Sequence, residues 1–137
     1  MKIAVAVDGS EHSIRAVEQA IHLAQMGDGS ELFVLHVDQI QDVKNAHLLT
    51  GGEHALALKQ AELLKPIREK LQHTAIVWKK VLLKGDPSEA IIQYVNKESM
   101  DQLFIGSRGL NRLQQLMLGS VSHRVMKYAK CPVTIVK

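Results

Sequence analysis

Five short apolar runs, rich in β-branched residues, constrain the fold of this chain more than any other feature. They are IAVAV (residues 3–7), LFVLHV (32–37), IVWKKVLL (76–83), LFI (103–105) and PVTIV (132–136). Runs of this length, bounded by turn signals, read as strands covered on both faces. Between them the periodicity changes to that of helices. Ser10 is placed to cap a helix whose core face carries Ile14, Val17, Ile21 and Ala24. Leu56, Leu63, Leu64, Ile67 and Leu71 mark a second helix, and Pro66 inside it predicts a kink or a restart. In GDPSEAII, Asp86 is the expected N-cap, Pro87 takes the first helical position and Glu89 can reach back as in a capping box. Ile91, Ile92 and Val95 then face inward. A last helix is expected over about residues 120–129.

Strand alternating with helix predicts one α/β domain over residues 1–137, an open five-stranded parallel sheet with helices on both faces. The Lys79-Lys80 pair puts the third strand near a sheet edge. Pro132 is tolerable because it opens the last strand. Residues 38–52 are polar and irregular and read as a loop.

Hydrophobic residues make up 46% and charged residues 23%, the balance of a soluble globular protein. No run approaches the roughly 18 apolar residues of a membrane span. The opening MKIAVAVDGS is too short for a signal peptide. A lone Cys131 excludes an internal disulfide, points to a reducing cytoplasm, and reads as a small buried residue. Aromatics at 4% speak against nucleic-acid binding by base stacking. The expectation is a cytoplasmic protein with no membrane or nucleic-acid partner.

Charge is unevenly distributed. The chain has 14 acidic residues, yet none falls in residues 102–137, which carry Arg108, Arg112, Arg124, Lys127, Lys130 and Lys137. Such a segment suits an anionic ligand, although charge alone is met as well by a solvated basic face.

The same segment contains the stretch that singles out a site. After the fourth apolar run come Gly106 and Gly109, then nine residues, then Gly119-Ser120. Gly106 and Gly109 permit positive φ and bare backbone amides that can approach an oxyanion. Gly119 and Ser120 open a helix, where the first N–H groups lack partners and the dipole is positive. Each feature alone is also what an ordinary turn or cap would look like. Together, two anion-binding turns could grip two ends of one polyphosphate, with Arg108 and Arg112 adding charge. In an open parallel sheet a ligand sits beyond the carboxyl ends of the strands, where the strand order reverses. The facing loop would be Asp8-Gly9-Ser10 if the order is 3-2-1-4-5.

Other phosphate motifs fail. No G-x-x-x-x-G-K-S/T is present, and the turn after the first strand offers only Gly9 toward a dinucleotide fingerprint. Asp38 sits where such enzymes keep a ribose-binding acid, but the glycines that would go with it are missing.

The stretches AVDGSEHS, LHV, GSRG and LGSVSHRV, with KGDPSEAI and CPVTIVK, resemble the universal stress protein superfamily over essentially the whole chain. The spacing G-x-x-G, nine residues, G-S is similar to that of its ATP-binding members. The resemblance implies the strand order 3-2-1-4-5, a Rossmann-like nucleotide-binding fold and homodimers joined partly through the last strand, with Val133 and Ile135. It implies ATP as the ligand, with Mg²⁺ or Mn²⁺ held mainly by the phosphates and no protein metal site. By the same resemblance, Asp8 and the neighbouring Gly9 would face the nucleoside and Val37 would offer backbone groups to adenine. Gly106, Arg108 and Gly109 would meet ribose and phosphates, while Gly119, Ser120 and Val121 would hold the phosphate tail. Gly85 would lie where the chain approaches the nucleotide.

The seven histidines show no ligand spacing of the H-x-x-x-H kind. His36 reads as a core or edge residue, His123 as a residue near the phosphates or on the surface, and His47 and His54 as surface residues. For catalysis Asp8 is the one strong carboxylate candidate, and one carboxylate does not make an ATPase. Slow hydrolysis, self-phosphorylation on Ser120 or Ser122, and a scaffold holding AMP or no nucleotide stand as alternatives to an ATP-occupied regulator.

Overall fold

Each apolar run finds cover because the strands lie side by side in one direction. In the computed structural model, which describes residues 1–39, 52–108 and 118–137, the elements are β1 (Lys2–Ala6), α1 (Glu11–Gln25), β2 (Glu31–Asp38), α2 (Glu53–Gln72) and β3 (Val77–Lys84), then α3 (Pro87–Lys97), β4 (Gln102–Gly106), α4 (Ser120–Tyr128) and β5 (Val133–Val136). The strands form a five-stranded sheet in the order β3-β2-β1-β4-β5, and every pairing is parallel. The parallel sheet is the one expected from the apolar runs, and its order is the one the family resemblance implies. β2 runs one residue further than its apolar run and ends on Asp38. Among the described residues no helix is long and apolar enough to cross a membrane.

The central strand β1 explains the pattern. Ile3, Val5 and Val7 pack with α1 and α2 on one face, while Ala4 and Ala6 pack with α3 and α4 on the other. With both faces covered, an alternation of polar residues would leave buried groups unpaired, so the run is apolar throughout. Ile3, Leu32, Leu64, Ile67 and Leu71 are at most 2% exposed, and each such burial contributes about 1.5–3 kcal/mol.

Three helical details differ from expectation. The face of α1 against the sheet is Ala16, Val17, Ala20 and Ala24, with His12 and Ser13 buried at its start, whereas Ile14 and Ile21 are only half-buried. Small residues line this contact because the helix lies close on β1 and β4, which leaves the bulkier isoleucines to its flanks. α2 runs unbroken through Pro66, so no restart occurs. Pro66 and Glu62 are both exposed, so the carbonyl that loses its donor can turn to water. In α3, Asp86 caps as expected, its Oδ2 accepting from the Glu89 amide at 3.0 Å and the Ser88 hydroxyl at 2.7 Å. Glu89 does not close a capping box; its carboxylate faces Arg124 at 3.9 Å. Ile91 and Val95 are buried, with Ile92 at the rim of the same cluster.

β3 is an edge strand, and Lys79, Lys80 and Lys84 are exposed along it, which guards the edge against pairing with another chain. β5 is the opposite edge. Cys131 is half-buried at the rim of the α3–α4 cluster rather than enclosed, because it precedes the strand entrance at Pro132. The partial burial still pushes its thiol pKa up, with the Asp101 carboxylate adding to the effect.

Candidate functional site

A parallel sheet places the carboxyl ends of all its strands at one edge, and with them the N-termini of the helices that follow. Here α1, α3 and α4 all begin at that edge, and their dipoles make it positive. The chain leaves β1 toward β2 and leaves β4 toward β5, so the two loops part and a crevice opens between them. The cavity there has a volume of about 660 Å³. Val7 and Asp8 form its floor beside Gly106 and Arg108. Val37, Asp38, Leu56 and Gln60 wall one side, and Gly119, Ser120, Val121 and Ser122 the other. Asp86 and Pro87, at the start of α3, complete the rim.

The first turn holds its carboxylate in place. Gly9 has φ +86°, a backbone conformation that favours glycine, and the bend lets Asp8 Oδ1 accept from the Ser10 amide at 2.9 Å. Ser10 in turn caps α1 through the Ser13 amide at 3.2 Å.

Gly106 works differently from the expectation. It is not among the positive-φ glycines. A Cβ there would stand 2.8 Å from His12 Cβ and 3.0 Å from the His12 carbonyl carbon. The missing side chain therefore lets the first turn of α1 press against the end of β4. That approach brings His12 Nδ1 to 3.1 Å from Ser107 Oγ, and His12 Nε2 to 3.5 Å from an Arg108 guanidinium nitrogen. Guanidinium groups only donate, so Nε2 is the acceptor and Nδ1 carries the hydrogen toward Ser107. His12 thus steadies Arg108 at the crevice.

The second turn is tied to the first. The Ser107 carbonyl accepts from the Gly119 amide at 2.7 Å and from Ser122 Oγ at 2.9 Å. The Gly119 amide is thereby used inside the protein and does not serve as an anion donor, contrary to the expectation. What faces the crevice is the first turn of α4, at Ser120, Val121 and Ser122. The N-cap of that helix is Gly119, and among the described residues no side chain caps it.

Residues 1–137 match the Universal stress protein family. The chain belongs to that family. The universal stress protein YxiE of Bacillus subtilis is 33% identical over 99% of this chain and 98% of its own length. Among solved structures, UspA from Lactobacillus plantarum shares the fold with a TM-score of 0.83 at 23% identity, covering 100% of this chain and 97% of its own. A universal stress protein family protein from Arabidopsis thaliana, solved with AMP bound, aligns at 26% identity and TM-score 0.69 over 100% of this chain and 91% of that one.

In this universal stress protein the crevice brings together Asp8, Val37, Gly106, Arg108, Gly119, Ser120 and Val121 from the residues singled out in the sequence. Gly9 and Gly85 stand off its wall; the Gly85 amide donates to the Asp38 carbonyl at 3.1 Å. Gly109 and Arg112 lie outside the described residues, as does His47. His123 and His54 are exposed and His36 is half-buried. Of the basic segment, Arg108 lines the crevice, while Arg124 lies on the outer α3–α4 face, 3.9 Å from both Asp86 and Glu89.

Sequence reasoning missed His12 and Gln60, and named Ser122 only as a candidate for self-phosphorylation. His12 follows a Ser cap in a first turn and carried no motif of its own. Gln60 had a signal: it lies four residues after Leu56 and three before Leu63, a polar residue in an apolar helical stripe.

Proposed function

We propose that this universal stress protein holds ATP in the crevice and acts as a nucleotide-occupied regulatory or interaction module in the cytoplasm. Its supporting observation is the first turn of α4, which lines the cavity and among the described residues has no side chain capping it. Such a turn presents unpartnered amides and a positive dipole, the physical complement of a phosphate chain. Arg108 adds a cation beside it. Across β1, Val37 and the apolar side chains of Leu56 and Leu63 offer a surface for a base, and Asp8 lies between as a ribose acceptor.

Mg²⁺ or Mn²⁺ would be held by the phosphates themselves. Among the described residues no group of three or more His, Cys, Asp or Glu side chains could hold a metal ion. Hydrolysis draws little support from Asp8, whose carboxylate is engaged by the Ser10 amide. The AMP-bound Arabidopsis relative favours a second reading, in which the resident nucleotide is a monophosphate. We also assign to β5 the role of dimer edge, with Val133 and Ile135 at its centre.

Mass spectrometry of the small molecules released on denaturing freshly purified protein separates the two readings, since one requires ATP and the other AMP. Calorimetry with Mg-ATP tests the placement. Gly119→Val crowds the Ser107 carbonyl and the Arg108 backbone, which already lie 3.5 Å from a Cβ at that position, and should weaken binding at least tenfold. Wild-type affinity in that variant would show that the phosphates lie elsewhere.

A further inference from the structure

Asp38 ends β2 and is 3% exposed, which a carboxylate tolerates only with partners for its oxygens. Both have one. Gln60 of α2 donates from Nε2 to Oδ2, and His36 Nε2 lies 3.3 Å from Oδ1. The other ring nitrogen of His36, Nδ1, is 3.0 Å from the Val7 carbonyl oxygen. A carbonyl only accepts, so Nδ1 carries a hydrogen. With Oδ1 turned to the His36 ring, Oδ2 accepts from Gln60. It therefore fixes the Gln60 amide in one orientation, with Nε2 toward Asp38 and the carbonyl oxygen Oε1 directed away from it.

Gln60 and Asp38 line the β2–α2 side of the crevice, with β1 between them and the start of α4. A nucleotide with its phosphates at α4 carries its base to this side. Resting on the nucleotide reading above, we infer that Gln60, oriented by Asp38 and His36, is a specificity-determining residue that selects purines bearing an amino group at C6. Its Oε1 accepts from a 6-amino group. Against a 6-oxo group it sets acceptor against acceptor, and a site built for a donor discriminates through the pair it leaves unmade. The amide cannot flip to suit the oxo base without turning Oε1 toward the Asp38 oxygen.

The test is calorimetric binding of AMP, of inosine monophosphate and of purine riboside monophosphate, which has no C6 substituent, to the wild-type protein, Gln60→Leu and Gln60→Met. Wild-type protein should prefer AMP over both others by about tenfold. Either variant should bring AMP to within about twofold of the purine riboside compound, whose own affinity should stay as in wild type. Wild-type protein that binds AMP without preference, or a folded variant that keeps the preference, overturns the inference. Wild-type protein that binds none of the three, nor ATP, overturns the nucleotide reading beneath it; should it bind ATP alone, the same comparison is read on ATP, inosine triphosphate and purine riboside triphosphate. Gln60→Met keeps a long unbranched chain on α2, so the comparison survives should Gln60→Leu fail to fold.

Discussion

The carbonyl oxygen of Ser107 lies 2.7 Å from the amide nitrogen of Gly119. This hydrogen bond joins the end of β4 to the start of α4, and the Ser122 hydroxyl reinforces it at 2.9 Å. Ser122 is 2% exposed, so its hydroxyl belongs to the wall of the crevice. Ser122→Ala should destabilise the fold by about 0.5–1.5 kcal/mol, the net worth of one hydrogen bond. Ser107 keeps its bond to Gly119, so the larger penalty of an orphaned carbonyl is avoided. Urea unfolding measures the loss; an unchanged midpoint would mean the hydroxyl contributes nothing.

Gly106 and Gly119 separate two uses of glycine. Gly106→Ala forces a methyl to 2.8 Å from His12 Cβ and 3.0 Å from its carbonyl carbon, and overpacking of this kind costs about 1–3 kcal/mol. Gly119→Ala meets nothing closer than 3.5 Å, so its stability should stay within about 0.5 kcal/mol of wild type. Equal stability of the two variants would show that α1 can move away from β4 without loss.

Asp86 supplies a pH dependence. The Ser88 hydroxyl and then the Glu89 amide hold its carboxyl below the ordinary 3.8, with burial opposing and Arg124 assisting. A depressed folded-state value stabilises the native protein above the unfolded value and ceases to do so as pH falls through the folded one. Asp86→Asn should therefore be less stable than wild type at pH 6, and the gap in melting temperature should close below pH 3.8. A gap that stays constant down to pH 2.5, an acid limit set about 1.3 units lower, would assign the effect to something other than this carboxylate.

The edge of β5 can be tested through its main chain. Pro132 and Val136 turn their carbonyls to β4, accepting from Leu103 at 3.0 Å and Ser107 at 2.7 Å. By the alternation of a parallel ladder, Val133 and Ile135 turn theirs outward. Ile135→Pro removes an outward N–H and leaves the β4 ladder intact, while Ile135→Ala keeps that N–H and removes side-chain bulk. If β5 joins two copies, sedimentation should find Ile135→Pro shifted to monomer far more than Ile135→Ala. A charged side chain would be a poorer probe, because Ile135 packs at the rim of the α3–α4 cluster.

The sheet was legible because its signal is local. IAVAV can be covered on both faces only in a central strand, and the Lys79-Lys80 pair belongs at an edge. The turn that opens α4 was legible in the same way, since a glycine before a helix declares itself in sequence. What escaped was the contact made at a distance. The closeness of Gly106 to His12 depends on how α1 lies across β4, and the bonding of Asp38 to Gln60 depends on where α2 settles. Asp38 could be weighed as a ribose acid from its position after a strand, but not as the partner of a glutamine 22 residues away. Helix geometry alone leaves the Gly119 amide open to an anion; Ser107 closes it only once the chain has folded back.

Because Gly119 has no side chain to finish α4, an anion bound in the crevice would supply what the helix lacks. Ligand uptake and the ordering of that terminus would then share one equilibrium, and resistance to unfolding would grow with the logarithm of free nucleotide. A cell depleted of that nucleotide would shift more of the chain to unfolded forms open to proteolysis, so abundance itself would report the energy supply without a separate sensor.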